Sequence, residues 1–580
     1  MKKEKTIRIG ILGAGPSGLF LLKRLINSSL ENLEISIFER KSQLGAGMPY
    51  SSEGANDEHI TNVSGNEIPD LVTPVKEWIK NAPGELLKRY GMAPEKFSEY
   101  KVLPRLLFGQ YLTDQFELLL KQAKKKGITT NVYLNTEVTD IVDQLSEKKV
   151  VVVTAHGSSE QFDHVIISTG HTWPLIHEGI IPDYFDSPYP PSKLALKLNH
   201  PVAIKGASLT AIDAVRTLSR CNGRFIKGDD GSVSYELANG SEGFQMILHS
   251  LDGLLPSIRF HLEEPQLSKG SMLSQEEIRS HMTANDGFVS LDYLFERNFK
   301  EPLRESDPDF YEKIRNMTIE AFVENMMSLR ERLDPFILFK AEYAEAEKSI
   351  KRKESVHWKE MLASLSYAMN YPAKHLSAED MIRLKKVLMP LISIVIAFVP
   401  QGSCQELLAL HAAEVLKLVA VDADSTVEPQ KKGGALYHYT DEQGGKHSVY
   451  YPMFIDCVGQ QHLPFSDFPF RSLTDNGIIS PARLKFKSSE EGLKEMKNND
   501  KVERDTKGEY YLQVPGIAIN DNFQVIDQYG AFNNRIYIIA VPYIGGYNPD
   551  YSGLDFCETA SALVINSIIK IHTTSTPARI

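Results

Sequence analysis

Three glycines and one carboxylate carry the first chemical signal of the chain. Between Thr6 and Arg40, Gly13, Gly15 and Gly18 stand in GAGPSG, and Glu39 closes the short run EISIFE. The apolar run IRIGIL precedes the glycines and the apolar-periodic LFLLKRLI follows them. Strand, glycine turn, helix, strand and acid thus come in the order of a dinucleotide-binding fingerprint. Gly13 permits the tight turn, Gly15 lets a pyrophosphate approach the backbone, and Gly18 lets helix and strand pack closely. Pro16 and Ser17 open the helix, whose free N–H groups and partial positive charge attract phosphate. Glu39, followed by Arg40, is placed to accept hydrogen bonds from ribose hydroxyls. The rival reading is a glycine turn with no ligand, and the acid at the strand end argues against it.

A glycine-rich loop, LGAGMPYS, follows at residues 44 to 51. In this it resembles the FAD-binding half of two-dinucleotide flavoproteins. Polar residues then cluster in DEHITNVSGNEIP and VLPRLLFGQYL. His59, Asn62, Ser64 and Arg105 are candidates to face the ligand as a set; taken singly, each reads as a turn cap or surface group. Val138, in the strand read over residues 129 to 142, joins the cofactor set, as do Thr169 and Gly170 at the end of the apolar strand VIIS. His171 and Trp173 stand at the exit.

A second βα unit, PVAIKGASLTAIDAVRTL, spans residues 201 to 218. Ser208 and Ala211 replace the second and third glycines, and both are small enough for close approach. After a flavin unit, Gly206, Ser208, Leu209 and Thr210 read as a nicotinamide-nucleotide site; the alternative is a vestigial unit that packs and binds nothing. The strand FQMILHS leads to Leu251 and Asp252, where an NADPH enzyme places a cation. Arg259 or Arg216 would have to serve instead, so NADPH and NADH both remain open. A second strand end, at Val458-Gly459, and a glycine loop before the helix at Gly553 suggest that the chain returns to the first unit. That helix N-terminus is placed to stabilise the electron-rich end of a flavin. Tyr50, His59 and Asp550 are the candidate catalytic residues beside the substrate.

These elements predict an α/β fold with two Rossmann-like dinucleotide-binding domains, FAD and NAD(P), the second inserted in the first, and a helical insertion. The expected boundaries are 1–175 and 456–580 for the FAD domain and 176–455 for the NAD(P) domain. From about 260 to 400 the pattern is long and helix-periodic. The chain has 580 residues, a formal charge of −11 and a pI near 5.9, which gives no support to nucleic-acid binding. Its four cysteines, Cys221, Cys404, Cys457 and Cys557, form no CxxC pair, which removes disulfide-reductase chemistry and any zinc signal. No metal is expected. The apolar stretch 387–400 is too short to cross a bilayer and carries Pro390. The start, MKKEK before an apolar run, resembles a signal peptide only until the glycine motif interrupts it. The expectation is a soluble cytoplasmic protein.

Together GAGPSG with FER, LGAGMPYS, HITNVSGNEIP, LPRLLFGQYL, ISTG, GASLTAID, NGRFIKGDDGSVSYE leading to SLDGLLP, and LLALHAAEVLKLV leading to IDCVG resemble the FAD/NAD(P)-binding oxidoreductases related to the flavin-dependent N-hydroxylating monooxygenases. The resemblance implies FAD held by the N- and C-terminal parts and NADPH or NADH on the middle domain. It further implies flavin reduction, a peroxyflavin formed with oxygen, and oxygenation of a nucleophilic nitrogen or carbon. The leading reading is an NAD(P)H-consuming monooxygenase acting on a small polar metabolite. Leu251 stands where many relatives have Arg. Two other functions are weighed: an FAD-dependent NAD(P)H oxidoreductase with a non-oxygen acceptor, and a flavin-binding regulatory protein.

Overall fold

The computed structural model describes residues 6–251, 253–262, 273–460, 462–547 and 553–574. Two mainly parallel sheets organise it. The first is built on β1 (Ile7–Leu12), β2 (Leu33–Phe38), β3 (Thr129–Tyr133) and β4 (His164–Ile167). The second holds β5 (Tyr184–Phe185), β6 (Pro201–Lys205), β7 (Gln245–Ser250), β8 (Leu416–Ala420) and β9 (Met453–Asp456). The chain then returns to the first sheet with β10 (Gln524–Ile526) and β11 (Phe532–Ile538). The strand orders are β10-β11-β4-β1-β2-β3 and β5-β9-β6-β7-β8. Every pair is parallel except the β10–β11 hairpin. The first sheet is therefore completed by residues from both ends of the chain.

β1 is buried along most of its length because both its faces are covered. Helix α1 (Pro16–Ile26) packs on the helix α4 (Gly553–Thr574) at the other end of the chain. Lys23 and Arg24 of α1 both reach Glu558 of α4, so the two termini are tied by half-buried ion pairs. A three-stranded antiparallel sheet over residues 138–162 also lies close, and its Phe162 ring lies 3.3 Å from where a side chain at Gly10 would begin.

One strand was expected over residues 129 to 142. The structure breaks it: β3 ends at Tyr133, Asn135 takes φ +51, and a new strand begins at Val138 in the antiparallel sheet. The helical stretch begins at Gln275 and runs to Ala412, between β7 and β8 in chain order. Most of its apolar side chains, among them Phe299, Phe322, Leu362 and Leu391, share a core with Ile9 and Ile11 of the first sheet. Phe336 and Phe339, with Leu407 and Leu410 near the end of the stretch, join the core of the second sheet instead.

Candidate functional site

A cavity of ≈ 390 Å³ opens at the C-terminal ends of β1 and β4, where the order of the first sheet reverses. Gly13 takes φ +105, and a side chain there would begin 2.6 Å from the carbonyl oxygen of Ser168. Gly15 caps α1 and Pro16 is its first residue. The 44–51 loop folds back onto this turn, with Gly45 N–H donating to Ala14 O at 2.7 Å. Gly47 then lies so near that a side chain at Gly15 would begin 3.2 Å from its Cα. The floor of the cavity is thus bare backbone next to the N-terminus of α1, a cradle for phosphate. The Glu39 carboxylate is aimed by Ala14 N–H (2.8 Å) and Lys41 N–H (2.9 Å).

Gly13, Gly15, Pro16, Ser17, Glu39, Arg40, Tyr50, Thr169, Gly170 and Gly553 all line this cavity. Gly18 sits beneath it, where a side chain would begin 2.4 Å from Gly13 O. The C-terminal part contributes Ile539, Val541, Pro542 and the first turn of α4. Asn135 and Cys557 line it too, and nothing in the local sequence pattern singled them out. Cys557 Sγ lies 3.3 Å from Ser17 Oγ, and burial pushes its thiol up to about 11, so it stays protonated at neutral pH. Burial likewise raises the Tyr50 hydroxyl to about 12, against the pull of Arg105. Asp555, on the first turn of α4, is raised to about 7 by burial and then by Glu67 and Glu558.

Four expected residues stand elsewhere. His59 is fully buried; its Nδ1 accepts from Asn56 N–H at 2.9 Å, so its proton sits on Nε2 and is donated to Asp213 O at 3.1 Å. Burial lowers its pKa, so it is neutral. Arg105 begins α2 (Arg105–Lys125) and pairs with Asp213, to which Tyr189 also donates at 2.7 Å. Burial alone would raise the Asp213 carboxyl, but the Arg105 guanidinium, with the Tyr189 hydroxyl, outweighs it and holds it low. Asp213 belongs to α3 (Leu209–Asn222), so His59 and Arg105 clamp the first half of the molecule onto the helix of the second unit instead of facing the cavity. Asn62 gives its carbonyl to the Arg259 guanidinium, and Val138 pairs with Thr154 in the antiparallel sheet. Asp550 lies outside the described residues.

The second unit repeats the backbone of the first. Gly206 takes φ +103, and a side chain there would begin 2.8 Å from Cys457 O. Its N–H donates to His249 O at 2.7 Å, as Gly13 N–H donates to Phe38 O at 2.8 Å. Ser208 caps α3 without a side-chain hydrogen bond and is exposed. Gly459 takes φ +92, and a side chain there would begin 3.9 Å from Thr210 Oγ1. Gly459 and Thr210 therefore lie side by side at the turn that carries Gly206, Leu209 and the exposed Ser208, and this solvent-facing end is called the second mouth. Neither arginine expected to greet a 2′-phosphate is free: Arg216 is buried against Glu406 (2.8 Å), and Arg259 is held by Ser64, Glu67 and Asn62 O. The two mouths share a rim, because His171 of the first cavity hydrogen-bonds Gln460, the neighbour of Gly459.

Among the described residues, no three His, Cys, Asp or Glu side chains group as metal ligands, and no helix is long and apolar enough to cross a membrane. Residues 10–172 match the family described as FAD-NAD(P)-binding, and residues 274–396 match the YdhS-like middle domain. The uncharacterized protein YdhS of Escherichia coli (strain K12) is 31% identical over 471 residues, covering 81% of this chain and 86% of that protein. Among solved structures, DfoA bound to FAD, the desferrioxamine-pathway cadaverine monooxygenase of Erwinia amylovora, is 12% identical, covers 98% of this chain and 95% of its own, and has a TM-score of 0.45. The ornithine hydroxylase PvdA of Pseudomonas aeruginosa is 11% identical over 97% of this chain and 99% of its own, with a TM-score of 0.45.

Proposed function

The chain belongs to the family of the Escherichia coli protein YdhS, and from that premise we propose that it is an FAD-dependent, NAD(P)H-consuming oxidoreductase, a monooxygenase acting on a small polar metabolite with oxygen as co-substrate. The observation that carries the reading is the shared rim: the bare-backbone cradle at Gly13–Ser17 and the open mouth at Gly206–Thr210 meet through His171 and Gln460. Hydride transfer needs near-contact geometry, which adjacent mouths allow. A flavin held in this cradle would supply the redox chemistry between a nicotinamide and oxygen.

The residues divide the remaining work. The N-terminus of α1 and the Gly13–Ser17 backbone would hold the pyrophosphate, and Glu39 the adenosine ribose. Gly553 and the first turn of α4 would offer a positive helix end to a bound flavin. Tyr50 keeps its proton across the neutral range and faces the same cavity, where it serves as a donor. Asn135, Thr169 and Gly170 shape the wall. No cysteine pair stands by to accept electrons, since all four cysteines are free, which favours a diffusible acceptor such as oxygen and suits a cytoplasmic setting.

The test is anaerobic mixing of the yellow holoprotein with NADH or NADPH. Bleaching of the flavin band, followed on adding oxygen and a metabolite panel by an oxygenated product, is the expected result. An unbleached flavin contradicts the oxidoreductase reading. Bleaching with peroxide as the sole oxygen product across the panel contradicts the monooxygenase and favours another acceptor.

A further inference from the structure

We infer that the second mouth selects NADH over NADPH, through Ser250 and Leu251 at the end of β7 and Glu442, which faces Gly253 just beyond it. The inference rests on the reading of that mouth as the nicotinamide-nucleotide site. The two units share the hydrogen bond that fixes their turns: Gly13 N–H donates to Phe38 O, and Gly206 N–H donates to His249 O. Ser250 therefore stands where the first unit has Glu39, and Leu251 where it has Arg40. The strand end after a glycine turn is where adenosine ribose is read, and a 2′-phosphate there requires a cation. Here it finds a hydroxyl and then a leucine side chain that is 63% exposed.

The surrounding charge has the wrong sign for a phosphate. A side chain at Gly253, just past β7, would begin 3.4 Å from Glu442 Oε1. Asp422 follows β8, whose end is tied to β7 by Val421 N–H donating to Ser250 O at 2.9 Å, and its carboxylate accepts from Thr440 N–H at 2.8 Å. Asp441, beside Glu442, pairs with His447 at 2.7 Å. The arginines on α3 and past β7 are committed: Arg216 and Arg220 to Glu406, and Arg259 to Glu67. Lys205, next to Gly206, lies 3.9 Å from Asp456. A 2′-phosphate, at close to two negative charges, would lie among carboxylates, whereas a ribose diol needs only hydrogen-bond partners.

Binding to the intact holoprotein tests this without turnover. Calorimetric titrations with ADP-ribose and with 2′-phospho-ADP-ribose should give a Kd lower for ADP-ribose by roughly tenfold or more. Leu251→Arg should narrow or reverse that ratio. Glu442→Gln should tighten the phosphorylated ligand and leave ADP-ribose within about twofold. Equal or tighter binding of 2′-phospho-ADP-ribose by the unaltered protein would overturn the inference and leave the site standing. If neither ligand bound, the assignment of the mouth itself would fail, and the inference with it.

Discussion

The two βα units have nearly the same backbone and different side chains, and the difference separates what a fold needs from what a ligand needs. Gly13 and Gly206 share φ values of +105 and +103 and the same close approach to a returning strand. That feature belongs to the strand–turn–helix connection. Beyond it the units diverge. Gly15 becomes Ser208, Gly18 becomes Ala211, and Glu39 becomes Ser250. The first turn is covered by a second glycine loop and by α4, whereas at the second Ser208 is exposed. In the proposed reading the first turn cradles a resident cofactor and the second receives an exchanging one.

The largest effect is expected where the units are joined. Asp213 of α3 is buried and answers Arg105 and Tyr189, so Asp213→Ala strands a buried guanidinium. A loss of about 3–5 kcal/mol in urea unfolding is expected. A change under about 1 kcal/mol would mean the clamp carries no weight.

Phe38 and His249 hold equivalent positions and both stack on a tyrosine, Tyr133 at 4.9 Å and Tyr437 at 4.1 Å. Only His249 titrates, and burial lowers it to about 4. Its folded value lies below the unfolded one of about 6.5, so the unfolded chain takes up the proton first. Stability should fall as pH drops from 6.5 toward 4, with about 2 kcal/mol lost through this group by pH 5. His164, also near 4 through burial and then His572, adds a slope of the same sign. His249→Phe should flatten the acid limb, read from urea midpoints at pH 7 and pH 5. An unchanged slope would place the acid sensitivity elsewhere.

Smaller and matched effects are expected at the turns. Gly13→Ala and Gly206→Ala each force a Cβ into a left-handed position against a carbonyl oxygen, at a cost of about 2 kcal/mol or more. Similar losses in thermal unfolding would show that the two turns are equivalent as backbone. A loss at Gly13 alone would mean that the second turn tolerates the strain.

Much of this architecture was legible because its signals are local. A glycine turn between an apolar strand and an amphipathic helix reads the same wherever it falls, and the return of the chain to the first sheet showed in the strand and glycine loop before Gly553. The rest depends on where distant segments land. His59 and Arg105 were legible as a polar cluster, but their partner, Asp213, lies more than a hundred residues onward and only the packed fold reveals it. The break at Asn135 needed a left-handed residue that its neighbours do not announce. The helical segment has ordinary amphipathic faces, and periodicity does not say which of two cores a face will join.

The central claim, that the Gly13–Ser17 cradle holds FAD, is tested most directly by the flavin content of Gly15→Val. A valine there would begin 3.2 Å from Gly47 Cα and fill the path of the pyrophosphate. A folded, colourless protein is expected, with its flavin-to-protein ratio reduced at least about tenfold, whereas Ser208→Val should keep its flavin. A Gly15→Val protein that purified yellow with unchanged flavin content would contradict it.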